Sequence, residues 1–449
     1  MPDADGRRER ILNAGTGLPK PGATRWLPMR AWWPRVGRAT LRKDALAGLS
    51  GALIVLPQGI AYAVIAGMPP EYGLYCAIGP AIVAALFGSS WHLVSGPTAP
   101  ISIVVFSALA PFAPPGSAEY VKLALTLGFL VGAIQLALGA VRLGRLTDLI
   151  SHSVIVGFTT GAAFLIAASQ LKHFFGLEAP ARTGFFPTVF EAARALPDLN
   201  IAVTAVGLTT LVVCVLSRRL VPRLPHMVVA MIAGSVLAAL WPWSLAAGVA
   251  IPTVGALPAA VPPLSTPSFD LDDWNRLGGS AVAIAVLGLT EAVAIARAVA
   301  LRAGQTIDGN QEFVGQGLAN IAGSFFSGYP SSGSFTRSGV NFDAGAATPL
   351  AAVFASLILM AILYFIAPVV AYLPIAAMAG VLFVVAWGLI DLRGIRHIFA
   401  AWRDQRDEAI VFCVTFGATL LIALEFAVFV GILLSLILRS LRNTPNGPV

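Results

Sequence analysis

The residue that most directly suggests chemistry is Arg337. It stands in SGYPSSGSFTRSGVN (Ser327–Asn341), a run of serines and glycines between two long apolar stretches. Glycine and proline interrupt helical pattern there. A helix restarting near Ser334 would present unpaired N–H groups and the positive end of its dipole. Ser334 and Thr336 add hydroxyl donors to that end, and Arg337 adds a full positive charge. A second start of the same kind lies in LVSGPTAPISIVV (Leu93–Val105), where Thr98 is the hydroxyl residue. Two helix N-termini brought together form a site for a negatively charged group. Each end contributes roughly 0.3–2 kcal/mol, depending on burial. Other chemistries find little support. Cys76, Cys214 and Cys413 fall in apolar runs at unrelated spacings, and His92, His152, His173, His226 and His397 are scattered. Neither a disulfide framework nor a zinc site follows from these spacings. With no nucleophile–base pair in view, no enzyme, no metal and no cofactor is expected.

The elements that must position these residues are membrane helices. The chain of 449 residues is 57% hydrophobic and 11% charged, with mean hydropathy +0.81. A soluble domain carries about 25% charged residues. Long, nearly charge-free runs recur, of the length that suits a bilayer-spanning helix. Fourteen segments are predicted, at 44–65, 72–88, 97–111, 121–140, 149–171, 200–217, 226–243, 278–300, 309–326, 334–345, 348–367, 372–391, 407–424 and 426–440. An even count puts both termini on one side. Lys and Arg favour the cytoplasmic side, and they fall accordingly. The first 43 residues are basic, and alternate links hold Arg142, Arg145, Arg218, Arg219, Arg223, Arg297, Arg302, Arg393, Arg396, Arg403 and Arg406. The other links hold only Lys122, Lys172, Arg182, Arg194 and Arg276. The net charge of +7 is therefore orientation signal, and no basic domain is left for nucleic acid. No signal peptide is read at the N-terminus. The two broken segments, the third and the tenth, lie seven segments apart. An odd repeat length sets the two halves in opposite orientation, and paired broken helices in inverted halves point to a transport site.

The run DALAGLSGALIVLPQGIAYAVIAGMPPEYGLY (Asp44–Tyr75) resembles the first-helix signature of the SulP anion transporters, the sulfate permeases and their animal relatives. The later run from Leu289 to Ala352, with IDGNQEFVGQGLANIAGSFFSGYPSSGSFTRSGVN at its centre, resembles that family's helices eight to eleven. IPTVGALPAAVPP resembles its proline-rich link. The resemblance implies an all-α fold of two inverted seven-segment repeats, like that of uracil permease. Segments 3 and 10 would then be half-helices, each preceded by a short extended stretch. It implies a core domain (44–145 and 278–367) and a gate domain (146–245 and 368–440) that makes a homodimer contact. Residues 1–43 and 441–449 would be cytoplasmic. It also implies an anion site at Gln58, Tyr62, Thr98, Ser334, Phe335, Thr336 and Arg337, with Glu291 carrying a coupled proton. The family's usual C-terminal STAS domain is not expected here. GSSWH, with Trp91, and AGAATPL, with Ala347, each lack a basic residue that the family's motifs carry.

The function implied is secondary transport of a small anion in the inner (plasma) membrane. It would be sulfate-type uptake by symport with protons, through alternating access of core against gate. Bicarbonate, chloride or dicarboxylate transport or exchange is the alternative, and sodium is the alternative coupling ion. A nucleobase permease would want carboxylates rather than Arg337, and an anion channel would lack coupling. Simpler roles stand beside the functional ones. Arg337 and Glu291 would neutralise each other, Gln58 and Tyr62 would pack beside the Pro57 kink, and Asp308 with Gln311 would form a capping box. Glu425 is expected in the outer turn between the last two segments.

Overall fold

The computed structural model describes residues 28–144, 151–178, 184–221, 226–240, 251–255, 261–400, 406–422 and 424–443. Arg145, Arg182, Arg223 and Arg403 lie outside them, as do most of the N-terminal lead and the end of the C-terminal tail.

Helices α1 (Met29–Trp32) and α2 (Arg38–Ile65) come first, then α3 (Pro70–Cys76), α4 (Gly79–Phe87), strand β1 (Ser95–Gly96) and α5 (Ala99–Leu109). Helices α6 (Ala118–Ala140), α7 (His152–Phe175), α8 (Phe185–Ala195), α9 (Ile201–Leu220) and α10 (His226–Leu240) follow. The remainder is α11 (Leu271–Ala303), α12 (Gly309–Phe325), β2 (Ser332–Gly333), α13 (Phe335–Asp343), α14 (Leu350–Val370), α15 (Ile375–Leu389), α16 (Leu392–Ala400), α17 (Arg406–Leu421) and α18 (Leu424–Asn443). Among the described residues, seven helical stretches are long and apolar enough to cross a membrane: Arg38–Ile65, Pro70–Phe87, Ala118–Ala140, His152–Phe175, Ile201–Leu220, Leu271–Ala303 and Ile375–Ala400. Four more, Ala99–Leu109, His226–Leu240, Leu350–Phe365 and Phe426–Ser440, are apolar but shorter.

Among the described residues each expected segment contains helix, with informative differences. The first helix begins at Arg38 rather than at 44. The second segment is divided between α3 and α4, because Pro80 lies in the first turn of α4 and cannot donate the bond that would continue α3. Asp308 caps α12 by accepting from the N–H groups of Asn310 and Gln311. The reciprocal half of the capping box is absent: Asp308 N donates to Ser89 Oγ, and Gln311 Nε2 donates to the Phe87 carbonyl. Glu425 falls in the first turn of α18. Two helices, α8 and α16, occupy links that looked irregular. Each is short and amphipathic, and its mixed polarity hid it from a search for apolar runs.

Helix packing divides the molecule. Helices α2, α4, α6, α11, α12 and α14 pack mainly on one another, and α7, α9, α10, α15 and α17 do the same. Small residues allow close approach, as is usual where bilayer lipid removes the hydrophobic drive between helices. At the α6–α12 contact, a side chain on Gly132 would strike the Ile321 backbone, and one on Gly317 would strike Leu136. Asp44 on α2 accepts from Ala347 N (2.7 Å), Thr348 N (3.1 Å) and Thr348 Oγ1 (2.5 Å), tying α2 to the start of α14. The two sites lacking the expected basic residue keep other contacts. The Ala347 interaction uses backbone only, and the Arg35 guanidinium lies 4.1 Å over the Trp91 ring.

Candidate functional site

Strands β1 and β2 form a two-residue antiparallel ribbon, Ser95 opposite Gly333 and Gly96 opposite Ser332. One further bond, Ser334 N to the Val94 carbonyl (2.9 Å), extends it. Pro97 has no N–H and cannot continue the ladder, so β1 gives way to α5. Each strand runs directly into a half-helix. Because the strands are antiparallel, the two helices depart in opposite directions, with their N-termini meeting at the ribbon.

The two starts are capped differently. Ser334 Oγ accepts from Arg337 N at 3.4 Å, an ordinary N-cap. Thr98 caps nothing with its side chain. Its hydroxyl instead donates to Glu291 Oε2 on α11 at 3.3 Å, which leaves the first N–H groups of α5 without a side-chain partner. One turn earlier on α11, the Gly288 carbonyl accepts from Ser332 Oγ at 2.8 Å. Helix α11 is thereby bonded to both sides of the ribbon.

Arg337 is 1% exposed. Its Nη2 donates to the Pro97 carbonyl at 2.8 Å, while Nε and Nη1 have no hydrogen-bond partner among the described residues. Neutralisation by Glu291, the simpler role, is not what the guanidinium does; it reaches across the ribbon to the opposite lead-in. Gly96 makes room for it. Its φ is +143°, and a Cβ there would lie 2.8 Å from Nη1. A buried cation with most of its donors unpaired is costly, so this arrangement favours an anionic partner.

Gln58 and Tyr62 stand one turn apart on α2, just past Pro57, and both are buried. Gln58 Nε2 donates to Met227 Sδ on α10 at 3.6 Å, and Oε1 has no partner. Tyr62 belongs to the buried cluster that includes Ala99, Ile101 and Tyr329. Phe335 is 66% exposed, and Thr336 is exposed as well. Thr98, Glu291, Ser334 and Arg337 thus gather at the ribbon, with Tyr62 in the buried cluster that takes in the start of α5 and Gln58 directed to α10.

Several residues around the ribbon were not singled out from sequence. Ser102 Oγ, one turn into α5, lies 3.2 Å from Tyr329 Oη, and the Tyr329 carbonyl accepts from Cys76 Sγ at 3.2 Å. Glu312, Gln316 and Asn320 on α12 bond the segments entering the ribbon. Their i, i+4, i+8 spacing along the helix was a readable signal.

Such an arrangement, two short helices joined by a short ribbon within a bundle of apolar helices, is that of a polytopic helical membrane protein. The family profile described as the Sulfate permease family matches residues 41–415, and the chain belongs to that family. It is 33% identical over 438 residues to human solute carrier family 26 member 6, covering 93% of this chain and 57% of that protein. It is 33% identical over 429 residues to a probable sulfate transporter of Mycobacterium tuberculosis, covering 96% of this chain and 75% of that one. The chain therefore spans little more than half the length of its human relative. Two solved structures share the fold. One is the murine solute carrier 26 family member A9 anion transporter in the inward-facing state, with TM-score 0.85, 24% identity, and coverage of 98% of this chain and 76% of that chain. The other is the transmembrane domain of a cyanobacterium bicarbonate transporter, BicA, with TM-score 0.75, 23% identity, and coverage of 89% and 98%. The curated relatives are named as transporters, and none of these names denotes an enzyme.

Proposed function

We propose that the chain is the membrane part of a secondary active transporter that takes up a small anion, of the sulfate type, in symport with a proton. The observation that carries this reading is the Arg337 guanidinium, buried between two helix starts with Nε and Nη1 unpartnered. It is supported by relatives named as sulfate transporters. The anion would meet Arg337, the free N–H groups of α5 and α13, and hydroxyls from Ser334 and Thr336, with Gln58, Tyr62 and Phe335 beside it. Glu291 would carry the proton, reporting it to the site through Thr98.

Fourteen segments in two inverted repeats suit this reading. Supporting it, packing partners pair up under the repeat: α2 with α14 answers α11 with α6, and α9 with α10 answers α17 with α18. The helices that pack together around α2 would be the core and those around α7 the gate, moving against each other like an elevator and dimerising through the gate. The basic bias supports cytoplasmic termini in an inner or plasma membrane.

The test is labelled sulfate uptake by the purified chain in proteoliposomes, with and without an inward proton gradient, competed by chloride, bicarbonate and a dicarboxylate. Gradient-stimulated sulfate uptake is the expected result. Uptake indifferent to the proton gradient and to a counter-anion, and driven only by the anion's own electrochemical gradient, would mean a channel. A second reading, bicarbonate transport or exchange, is favoured by the fold shared with a bicarbonate transporter; bicarbonate outcompeting sulfate would select it.

A further inference from the structure

Three side chains on α12, spaced i, i+4 and i+8, project from one face of the helix, and all are buried. Each bonds a successive part of the ribbon. Glu312 Oε1 accepts from Ser89 N (2.7 Å) and Ser90 N (2.5 Å) in the loop that leads to β1. Gln316 Nε2 donates to Ser95 Oγ in β1 itself (2.7 Å). Asn320 Oδ1 accepts from Ser331 N (2.8 Å) and Ser331 Oγ (2.9 Å), and its Nδ2 donates back to the Ser331 carbonyl (3.1 Å), immediately before β2. Asn320 Nδ2 also donates to Gln135 Oε1 on α6 (2.8 Å), which braces the amide from behind.

We propose that Gln316 and Asn320 are positioning residues that set the separation of the two half-helix starts, and through it which size of anion the site accepts. The proposal rests on the anion-transport reading above. Gln316 holds one strand and Asn320 the lead into the other, so the offset that the ladder sets between the strands is braced by one helical turn of a third element. That element is itself rigid, since glycines at 132 and 317 bring α6 and α12 into backbone contact. Gln316 also keeps Oε1 buried without a partner. An unpaired buried carbonyl is destabilising, and a leucine would fill similar volume without it. A residue there for packing alone has no use for that amide; a residue that must hold Ser95 does. On the other side of β1, Gly96 lies against Arg337, so a shift of the strand passes directly to the guanidinium.

The experiment measures sulfate and chloride dissociation constants for purified wild type, Gln316→Leu, Ser95→Ala and the double variant, each checked for folding by thermal melting. Either single change should shift the ratio of the two constants by about tenfold, and the double variant by no more than either alone, because both cut the same bond. A structural role alone would weaken both anions by one factor. If Gln316→Leu does not fold, Ser95→Ala, which removes a single hydroxyl, carries the test. An unchanged ratio in the folded variants, or strictly additive effects in the double variant, overturns the proposal while leaving the transport reading intact. Wild type that binds neither anion overturns both.

Discussion

Arg337 and Pro97 join the two half-helices: Nη2 of the arginine, in the first turn of α13, donates at 2.8 Å to the carbonyl that precedes α5. The cation is thus a structural tie and, in the proposed site, also the positive charge. Removing it should do two things at once. Arg337→Ala frees the Pro97 carbonyl and deletes the charge, while the helix N–H groups remain. Anion affinity should fall by about ten- to a hundredfold, since charge-assisted contacts are worth roughly 1.5–3 kcal/mol. Lysine keeps the charge but not the planar fork that reaches Pro97 and still presents free donors, so Arg337→Lys should recover part of the loss. A divalent anion should suffer more than a monovalent one. Direct binding of sulfate and chloride to folded protein checks this; wild-type affinity in the alanine variant would make Arg337 a tie only.

Glu291 accepts from Thr98, and a glutamine there can accept the same hydroxyl bond. Glu291→Gln should therefore leave the geometry and anion binding in place while removing the titratable proton. Uptake driven by an acidic outside should drop to the level seen without a gradient. The sign is set by the chemistry: a carboxylate that loads its proton outside is helped by low external pH, and an amide is indifferent to it. Proteoliposome uptake at external pH 5.5 and 7.5, internal pH fixed, is the measurement, and preserved stimulation would remove Glu291 from coupling.

Gln58 on α2 meets Met227 on α10 at 3.6 Å, a contact between the two groups of helices. If those groups move against each other, the contact must break in each cycle. Two long side chains touching at their tips leave the Cβ atoms too far apart for a direct disulfide. A Gln58→Cys, Met227→Cys pair bridged by a short cleavable bis-thiol linker should therefore lose the uptake that the same variant shows unlinked, and cleavage should return it to that level. Full uptake by the cross-linked protein would exclude relative motion at this point.

Asp44 accepts three hydrogen bonds from Ala347 and Thr348 while fully buried. Asp44→Ala strands all three donors and should cost about 3 kcal/mol or more. Asp44→Asn keeps one acceptor oxygen and should cost less. Melting temperatures in detergent should therefore rank wild type, asparagine, alanine.

Much of this protein was legible from local pattern. Apolar runs located the helices, because a membrane segment must satisfy its own backbone and hide little polarity. The serines, glycines and prolines of Leu93–Val105 and Ser327–Asn341 marked the two short helix starts, because they interrupt the helical pattern. The Sulfate permease resemblance at Asp44–Tyr75 and Leu289–Ala352 anticipated the family that the profile over residues 41–415 establishes. What the tertiary structure alone decided was partnership across the chain. Arg337 has equal local reason to face Glu291 or solvent; its bond to Pro97, 240 residues away in sequence, follows only once β1 and β2 pair. Gln316 and Asn320 read as two more polar residues on a helix of mixed polarity until the ribbon lies against them. Thr98 looks like a cap, yet α11 passes close enough for Glu291 to claim its hydroxyl. Periodicity reports which face of a helix is polar. Which distant segment satisfies that face depends on packing between elements far apart in sequence.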